Sequence, residues 1–481
     1  MLRLLAPGAS ALTFALALAA PAGAAFSNPV ELDSGVGVAG LTVDGQGGRV
    51  VVARGAGKGN TVDTRLLGVA GDGQPEGRRT IAGLLPDPLA FGRDAVLHAR
   101  STRLGSVQRS VPNGRGGTRT ISLPRVRLGV SVGDAPSVAL GKAANHGTAV
   151  LDEPVRIAGT TSGNVVMAWS DVGADGVVRV YASWRRATTK KGTVRLSAPK
   201  LVSGSRASRL LALATGQGGD TVLVYQRGAS ESTRRLYVRS LDVRSGKLGT
   251  PQTLRRGGPG FPSATASVGR GGRAVVAWGE QDGAADRTKP YVVRATTRND
   301  DRHRFAAPKP LDRGSTTVRA PGGSLVAIVD RANRPLVAWS QVVGSVADGT
   351  AHDIPRIAEG GVEGGLGPAR DIAAAGRVHG LASARSVTGL VLVREQEVPR
   401  GGSNGDRGVA VQVAVRPATG TLGTPATVEA LTDAQLLDRS NAFGSAAIGA
   451  LPDGRFTVAW TRATVVSGKL RTATLLSDGA P

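Results

Sequence analysis

The sequence predicts an all-β protein made of repeated four-stranded antiparallel sheets closed into a ring, and three observations predict it. A short apolar pentapeptide ending in tryptophan returns four times, as VVMAW (165–169), AVVAW (274–278), PLVAW (335–339) and FTVAW (456–460). The apolar runs are only about five residues long and are bounded by glycine-rich turns, the pattern of short buried strands; helical periodicity is nearly absent. Finally, FSNPVELDSG (26–35) repeats the skeleton of FAAPKPLDRG (305–314): Phe, then Pro, Leu, Asp and Gly at matching offsets. An element found deep in the chain thus also stands near its start.

The residues before Phe26 are set apart from the fold. Arg3 leads into the apolar run ALTFALALAA (11–20) and the small-residue stretch Pro21 to Ala25. A positive head, an apolar middle and a small-residue cleavage site describe a secretory signal peptide, here residues 1–24. The apolar run is shorter than the ~20 residues that a membrane span requires. Residues 26–481 are assigned to one domain, expected to be exported and without a membrane span. Zero cysteines exclude disulfides, thiol catalysis and a lipid-modified N-terminal cysteine, so the fold must rest on core burial.

The repeat sets the architecture. Weaker copies of the pentapeptide end at Arg54, Arg100, Tyr225 and Arg394, giving eight anchors spaced about 58 residues apart. That quasi-period, with four strands in each unit, is that of propeller blades. Unit 261–314 shows the internal order. ATASVG leads through the turn GRGGR to AVVAW, which is apolar throughout and so buried on both faces. YVVRATT mixes polar and apolar positions and reads as half-exposed. FAAPKPL must lie at an edge, because proline cannot donate to a central ladder. Glycines in the first turn supply the positive φ that tight hairpins need. The last unit offers AAIGA, FTVAWTR and KLRTATLL without a fourth strand, and FSNPVEL is the expected substitute. Pairing it there would join the two ends and remove exposed sheet edges. The count is eight blades; seven also fits, because the first two units lack tryptophan and have weak fourth strands. One short helical stretch is expected at TDAQLLDR (432–439).

These elements resemble β-propeller proteins with sialidase-like or WD-repeat-like blades. They are most similar to the uncharacterised secreted repeat proteins of high-GC actinobacteria, whose repeats read roughly G-x-x-V-V-A-W, V-x-A-x-R, F-x-x-P-x-x-L. Here those segments are Gly272 to Trp278, Val293 to Arg298 and Phe305 to Leu311. The resemblance implies a fold and no particular activity. The sialidase Asp-box is not met, since Ser170-Asp171-Val172-Gly173 lacks its spacing, and the Gly-His and Trp-Asp dipeptides of WD repeats are missing.

Chemistry is sparse. GVGVAG (35–40) matches G-x-G-x-x-G, but a hairpin follows it where a dinucleotide fingerprint needs a helix. The histidines 98, 146, 303, 352 and 379 show no metal-ligand spacing, and Asp300 to His303 read as a solvated turn. No cofactor and no metal site is expected. The residue two beyond each anchor would ring one face of the disc. If the protein were an enzyme, Asp171, Glu280 and Asp282 are the acid/base candidates on that face; as ordinary strand-end polar residues they would do nothing catalytic. Charge is the other global feature: 60 Lys and Arg against 36 Asp and Glu, a net +24. Such a surface draws in polyanions, while 3% aromatics leave little for stacking nucleic-acid bases. The expected function is therefore a secreted, monomeric, non-catalytic binding or scaffold protein, its partner an anionic envelope polymer or an acidic protein. The rival is a propeller hydrolase or lyase acting on polysaccharide.

Overall fold

A computed structural model describes residues 26–43, 47–56, 62–82, 89–91, 95–112, 118–132, 138–139, 155–160, 163–173, 175–185, 196–228, 233–257, 263–281, 291–311, 325–343, 352–362, 364–384, 387–395, 408–437 and 441–479. Apart from one 3-10 turn and the short helix Asp433–Leu437, the regular structure is antiparallel β. The helix starts where the sequence places it. Thr432 and Gln435 bond reciprocally across its first turn, the capping-box arrangement.

The strands run as up-and-down meanders. Unit one comprises Gly37–Val43, Arg49–Ala56, Val62–Val69 and Pro75–Ala82; unit two Leu89–Phe91, Ala95–Pro112, Thr118–Val132 and Val138–Ala139; unit three Arg156–Gly159, Val165–Val172, Val178–Arg185 and Lys200–Leu201. Unit four has Ser208–Thr215, Asp220–Arg227 and Arg235–Asp242, with Lys247–Leu248 and Gln252–Arg256 sharing its outer edge. Unit five has Ser263–Val268, Ala274–Gln281, Tyr291–Arg298 and Lys309–Pro310; unit six Val326–Val329, Pro335–Val343, His352–Gly360 and Leu366–Asp371. Unit seven has Arg377–Ala384, Val387–Glu395, Gly408–Arg416 and Ala426–Ala430. Unit eight has Ala442–Ala450, Phe456–Val466 and Lys469–Gly479. Units one to six are separate sheets, whereas seven and eight join through the single pair Gly408↔Phe443.

Unit eight takes its outer strand from the start of the chain. Val30–Ser34 pairs antiparallel with Lys469–Gly479, Val30 opposite Leu476 and Ser34 opposite Ala473. Phe26 bridges to Gly479, and the Ser27 amide donates to the Asp478 carbonyl at 2.8 Å. Asp33 then accepts from Arg65 at 2.9 Å and from Arg78 at 3.2 Å, tying this strand to unit one. The first strand of each unit lies against the first strand of the next, from unit one through to unit eight, and that of unit eight lies against that of unit one.

The second strands are the buried centre of each unit. Val165 to Ala168, Val222 to Tyr225, Ala274 to Trp278 and Leu336 to Ala338 are fully buried. Alternate side chains face opposite neighbours, as the two-residue strand period requires. Thus Val276 and Trp278 pack with unit four, whereas Val275 and Ala277 pack with unit six. In units three, four, five, six and eight the first hairpin turns on a residue with positive φ six positions before the anchor: Gly163, Gly219, Gly272, Asn333 and Gly454. Asparagine replaces glycine at 333 because its side chain tolerates the left-handed region. The fourth strands are short where proline interrupts the donor row, as in Lys309–Pro310.

Unit two departs from expectation. Its middle strands run 18 and 15 residues as one long hairpin, shifted in register at Arg103/Gly105. The hairpin reaches as far as the Gly176 turn of unit three, where a Cβ would meet the Ser110 carbonyl at 2.7 Å.

Candidate functional site

The second strands deliver their anchors to the same end of every unit, and what holds those rings decides what this end can do. In unit five the Trp278 indole N–H donates to Glu280 Oε2 at 2.9 Å. The other oxygen, Oε1, accepts from Arg294 on the third strand and lies 3.2 Å from Arg255 Nε of unit four. Glu280 is 2% exposed. Both oxygens are committed to donors, so this carboxylate locks a tryptophan and joins two units.

Unit six repeats the device in neutral form. The Trp339 indole donates to Gln341 Oε1 at 3.4 Å, and Arg356 reaches the same oxygen at 3.1 Å and Asp371 at 2.6 Å. Unit eight draws the acceptor from its neighbour: Glu429, on the fourth strand of unit seven, receives the Trp460 indole at 2.7 Å and Arg462 at 2.9 Å. The position two residues beyond the tryptophan stands out in sequence, but as a candidate reactive or strand-end polar group; its burial against the indole does not. Nor does Glu429, because nothing local to residue 460 points to a residue 31 positions earlier. In units three and four aromatic pairs do the holding: Trp169 stacks on Tyr181 at 6.1 Å and Tyr225 on Tyr237 at 5.5 Å.

Of the acid/base candidates, Asp171 sits at the end of the second strand of unit three, opposite Arg179; the bond to Asp175 raises the Arg179 pKa, and the Asp171 charge adds to that rise and to the one at Tyr181. For Tyr181 the larger cause of that rise is burial. Glu280 lies two units away, with unit four between them. Asp282 falls outside the described residues. The structure thus does not pair Asp171 with Glu280 across one pocket. Asp300 and His303 form a turn, the imidazole Nδ1 2.6 Å from Asp300 Oδ1 and the same oxygen accepting two backbone amides. Among the described residues no cluster of three or more His, Asp or Glu could hold a metal ion.

The opposite end of the units carries a feature that the charge count concealed. Arg49, Arg273, Arg298, Arg334 and Arg416 are buried. Arg273 donates to the Gly361 and Gly364 carbonyls of unit six, and Arg334 to the Pro417 and Ala418 carbonyls between the third and fourth strands of unit seven. Arg416 returns to the Gly360 carbonyl at 2.9 Å. Asp330 sits fully buried between Arg334, at 2.8 Å, and Arg416, at 3.9 Å. Part of the positive charge is therefore internal cement; burial lowers the pKa of Arg416 and of Arg298.

Three anchors are arginines in place of an aromatic ring: Arg54, Arg100 and Arg394. In unit seven Arg394 has Ala410 opposite it on the third strand, where units five and six carry arginine. Leu390 and Leu392, on the same side of the strand, pack with unit six, and Arg394 is exposed beyond them. A cavity of about 690 Å³ opens there, lined by Arg394, Gln412, Thr424, Pro425, Leu436 and the segment Ile372 to Ala375.

No protein-family model and no curated protein matches the sequence. Among solved structures the chain is similar to a polysaccharide lyase, at 9% identity and a TM-score of 0.42 over 90% of this chain and 88% of that one. It is similar to a lectin from Burkholderia pseudomallei at 14% identity and a TM-score of 0.42, over 83% of this chain and 100% of that one. A third is the β-propeller domain of the Trilobed protease from Pyrococcus furiosus, at 9% identity and a TM-score of 0.39, over 83% and 99%. Likeness this distant carries no correspondence between residues, so function must be argued from the chain's own side chains.

Proposed function

We propose that the chain is a closed eight-bladed propeller that is exported, its signal removed, and that binds an anionic polymer of the cell envelope without catalysis. Closure is supported by the cyclic succession of first strands and by Val30–Ser34 lying on the last unit. One observation carries the binding reading: cations outnumber carboxylates by 60 to 36, several carboxylates are spent on arginines within the fold, and exposed cations stand without such a partner. Asp33, Glu280, Asp330, Asp353, Glu359 and Asp478 each hold an arginine. By contrast, Arg206, Arg256, Arg270, Arg304, Lys309 and Arg331 are exposed, with no carboxylate in salt-bridge reach among the described residues. Unpaired surface guanidinium and ammonium groups attract phosphate, sulfate and carboxylate over a long range. His303, Arg304 and Lys309 also line a cleft of about 330 Å³ beside Leu366 of unit six.

The test is chromatography of the mature protein on dextran sulfate against neutral dextran. Retention on the anionic resin alone, released between low and moderate salt, is the expected result. Arg304→Glu with Lys309→Glu should elute the protein earlier. Retention on both resins, or on neither, overturns the reading.

A further inference from the structure

We propose that the cavity beside Arg394 is a specific site for a carboxylate-bearing sugar unit, with the Arg394 guanidinium as its anchor; this deepens the binding reading above. The tryptophan anchors show what the position does when it holds a ring. Trp169, Trp278, Trp339 and Trp460 are buried, and the last three fill the space toward the preceding unit. Unit seven puts a cation there instead, and the volume remains open at about 690 Å³, within the range of small-ligand pockets.

Nothing on the described walls neutralises that cation. Trp278 and Trp460 stand beside arginines held by Glu280 and Glu429. Arg394 has no carboxylate within salt-bridge distance among the described residues, and the cavity lining contains no acidic side chain. The missing partner is therefore an anion from outside. The backbone is shaped to admit one. Gly376, at φ 142°, brings its segment so close that a Cβ would lie 2.9 Å from the Val393 carbonyl and 3.1 Å from the Arg394 Cα. Ala373 to Ala375 thereby form a wall of small side chains over the strand.

The lining also narrows the class of anion. A single guanidinium balances one charge and presents a fork that fits a carboxylate through two parallel bonds. Ile372, Ala373, Ala374 and Pro425 supply apolar surface for the C–H face of a ring, and Gln412 and Thr424 supply polar contacts for hydroxyls. One negative charge on a body half apolar and half hydroxylated describes a uronic-acid unit.

Calorimetric titration of the intact mature protein with digalacturonate tests this, with galactobiose and inorganic phosphate as comparison ligands. Digalacturonate should bind, and galactobiose and phosphate should bind at least tenfold more weakly. Arg394→Gln removes the charge and Arg394→Trp restores the ring of the sister units. Each should weaken digalacturonate by roughly 10- to 100-fold, the range for a lost charged hydrogen bond, while elution from dextran sulfate shifts only as far as the loss of any one exposed cation shifts it. Circular dichroism confirms that a variant is folded, and if Arg394→Trp does not fold, Arg394→Gln decides alone. Equal affinity in wild type and variant overturns the site, as does tighter binding of phosphate. Absence of digalacturonate binding in a protein still retained by dextran sulfate sinks this site and leaves the polyanion reading standing. Digalacturonate binding without retention does the reverse.

Discussion

A carboxylate near a protein surface can be a reagent or a fastening, and Glu280 is a fastening. Its oxygens hold Trp278, Arg294 and Arg255 across two units. Removing it leaves a buried indole N–H and a half-buried guanidinium without acceptors. Glu280→Ala should therefore cost about 3 kcal/mol in urea denaturation, the scale for breaking a buried pair by one partner, whereas Glu280→Gln should recover part through the indole bond. Unaltered stability in Glu280→Ala would return the residue to the pool of reactive candidates. A second residue makes acid sensitivity local. His379, on the first strand of unit seven, accepts the Ala446 amide of unit eight through Nδ1 at 3.4 Å. Burial, helped by the charge of Arg377, depresses its pKa to about 4. The folded chain thus keeps this ring neutral where the unfolded chain protonates it, below about pH 6.5. Its contribution is intact above that value and is lost as the pH falls toward 4. Melting temperature should decline across this window, and His379→Gln should flatten the decline. The short-range features of this scale could be read from sequence: the tryptophans, and the positions of Glu280 and Gln341 two residues on, though not their burial against the indole. The buried arginines could not, because their partners are carbonyls of other units, and a carbonyl has no letter.

At the level of elements, the terminal strand was legible because its Phe, Pro and Leu positions copy a fourth strand elsewhere. Its anchorage was not: Asp33 meets Arg65 and Arg78, which no local spacing connects to it. Burial alone would raise the Asp33 pKa, yet the bond from Arg65 leads the interactions that bring it below its ordinary value. Deleting residues 26–34 should expose Lys469–Gly479 as an open edge, unsatisfied along its outer row of amides and carbonyls. A lower melting temperature and concentration-dependent oligomers in sedimentation velocity are expected; a stable monomer would show that the strand is dispensable. The long hairpin of unit two escaped the sequence for a different reason. Its Ser- and Arg-rich middle, STRLGSVQRS (101–110), lacks the apolar alternation that marks a strand packed on a core. Strands that lean on little else are held by their own ladder, which any sequence without many prolines can form.

For the whole molecule, a net charge of +24 means less than its size suggests, since arginines such as Arg273 and Arg334 spend their donors inside. The polyanion affinity should accordingly follow the exposed cations alone. Plotted as log affinity against log salt, the slope should become shallower by roughly one unit or slightly less for each cation that no longer meets the polyanion. Arg304→Glu with Lys309→Glu should show it, and Arg334→Met, if folded, should not. The joined ends bear on something besides stability. Val30 finds Leu476 across nearly the entire chain, about as non-local a pairing as this sequence allows, and non-local pairings form slowly. While the ribosome is at work, every earlier unit can assemble in turn, but the last lacks nothing except its neighbour in space, synthesised first and waiting longest. Until residues 469–479 emerge, Val30–Ser34 has no strand to pair with. Under the export proposed here, that delay keeps the leading end pliable during the interval in which it must be threaded, and locks the disc only after passage.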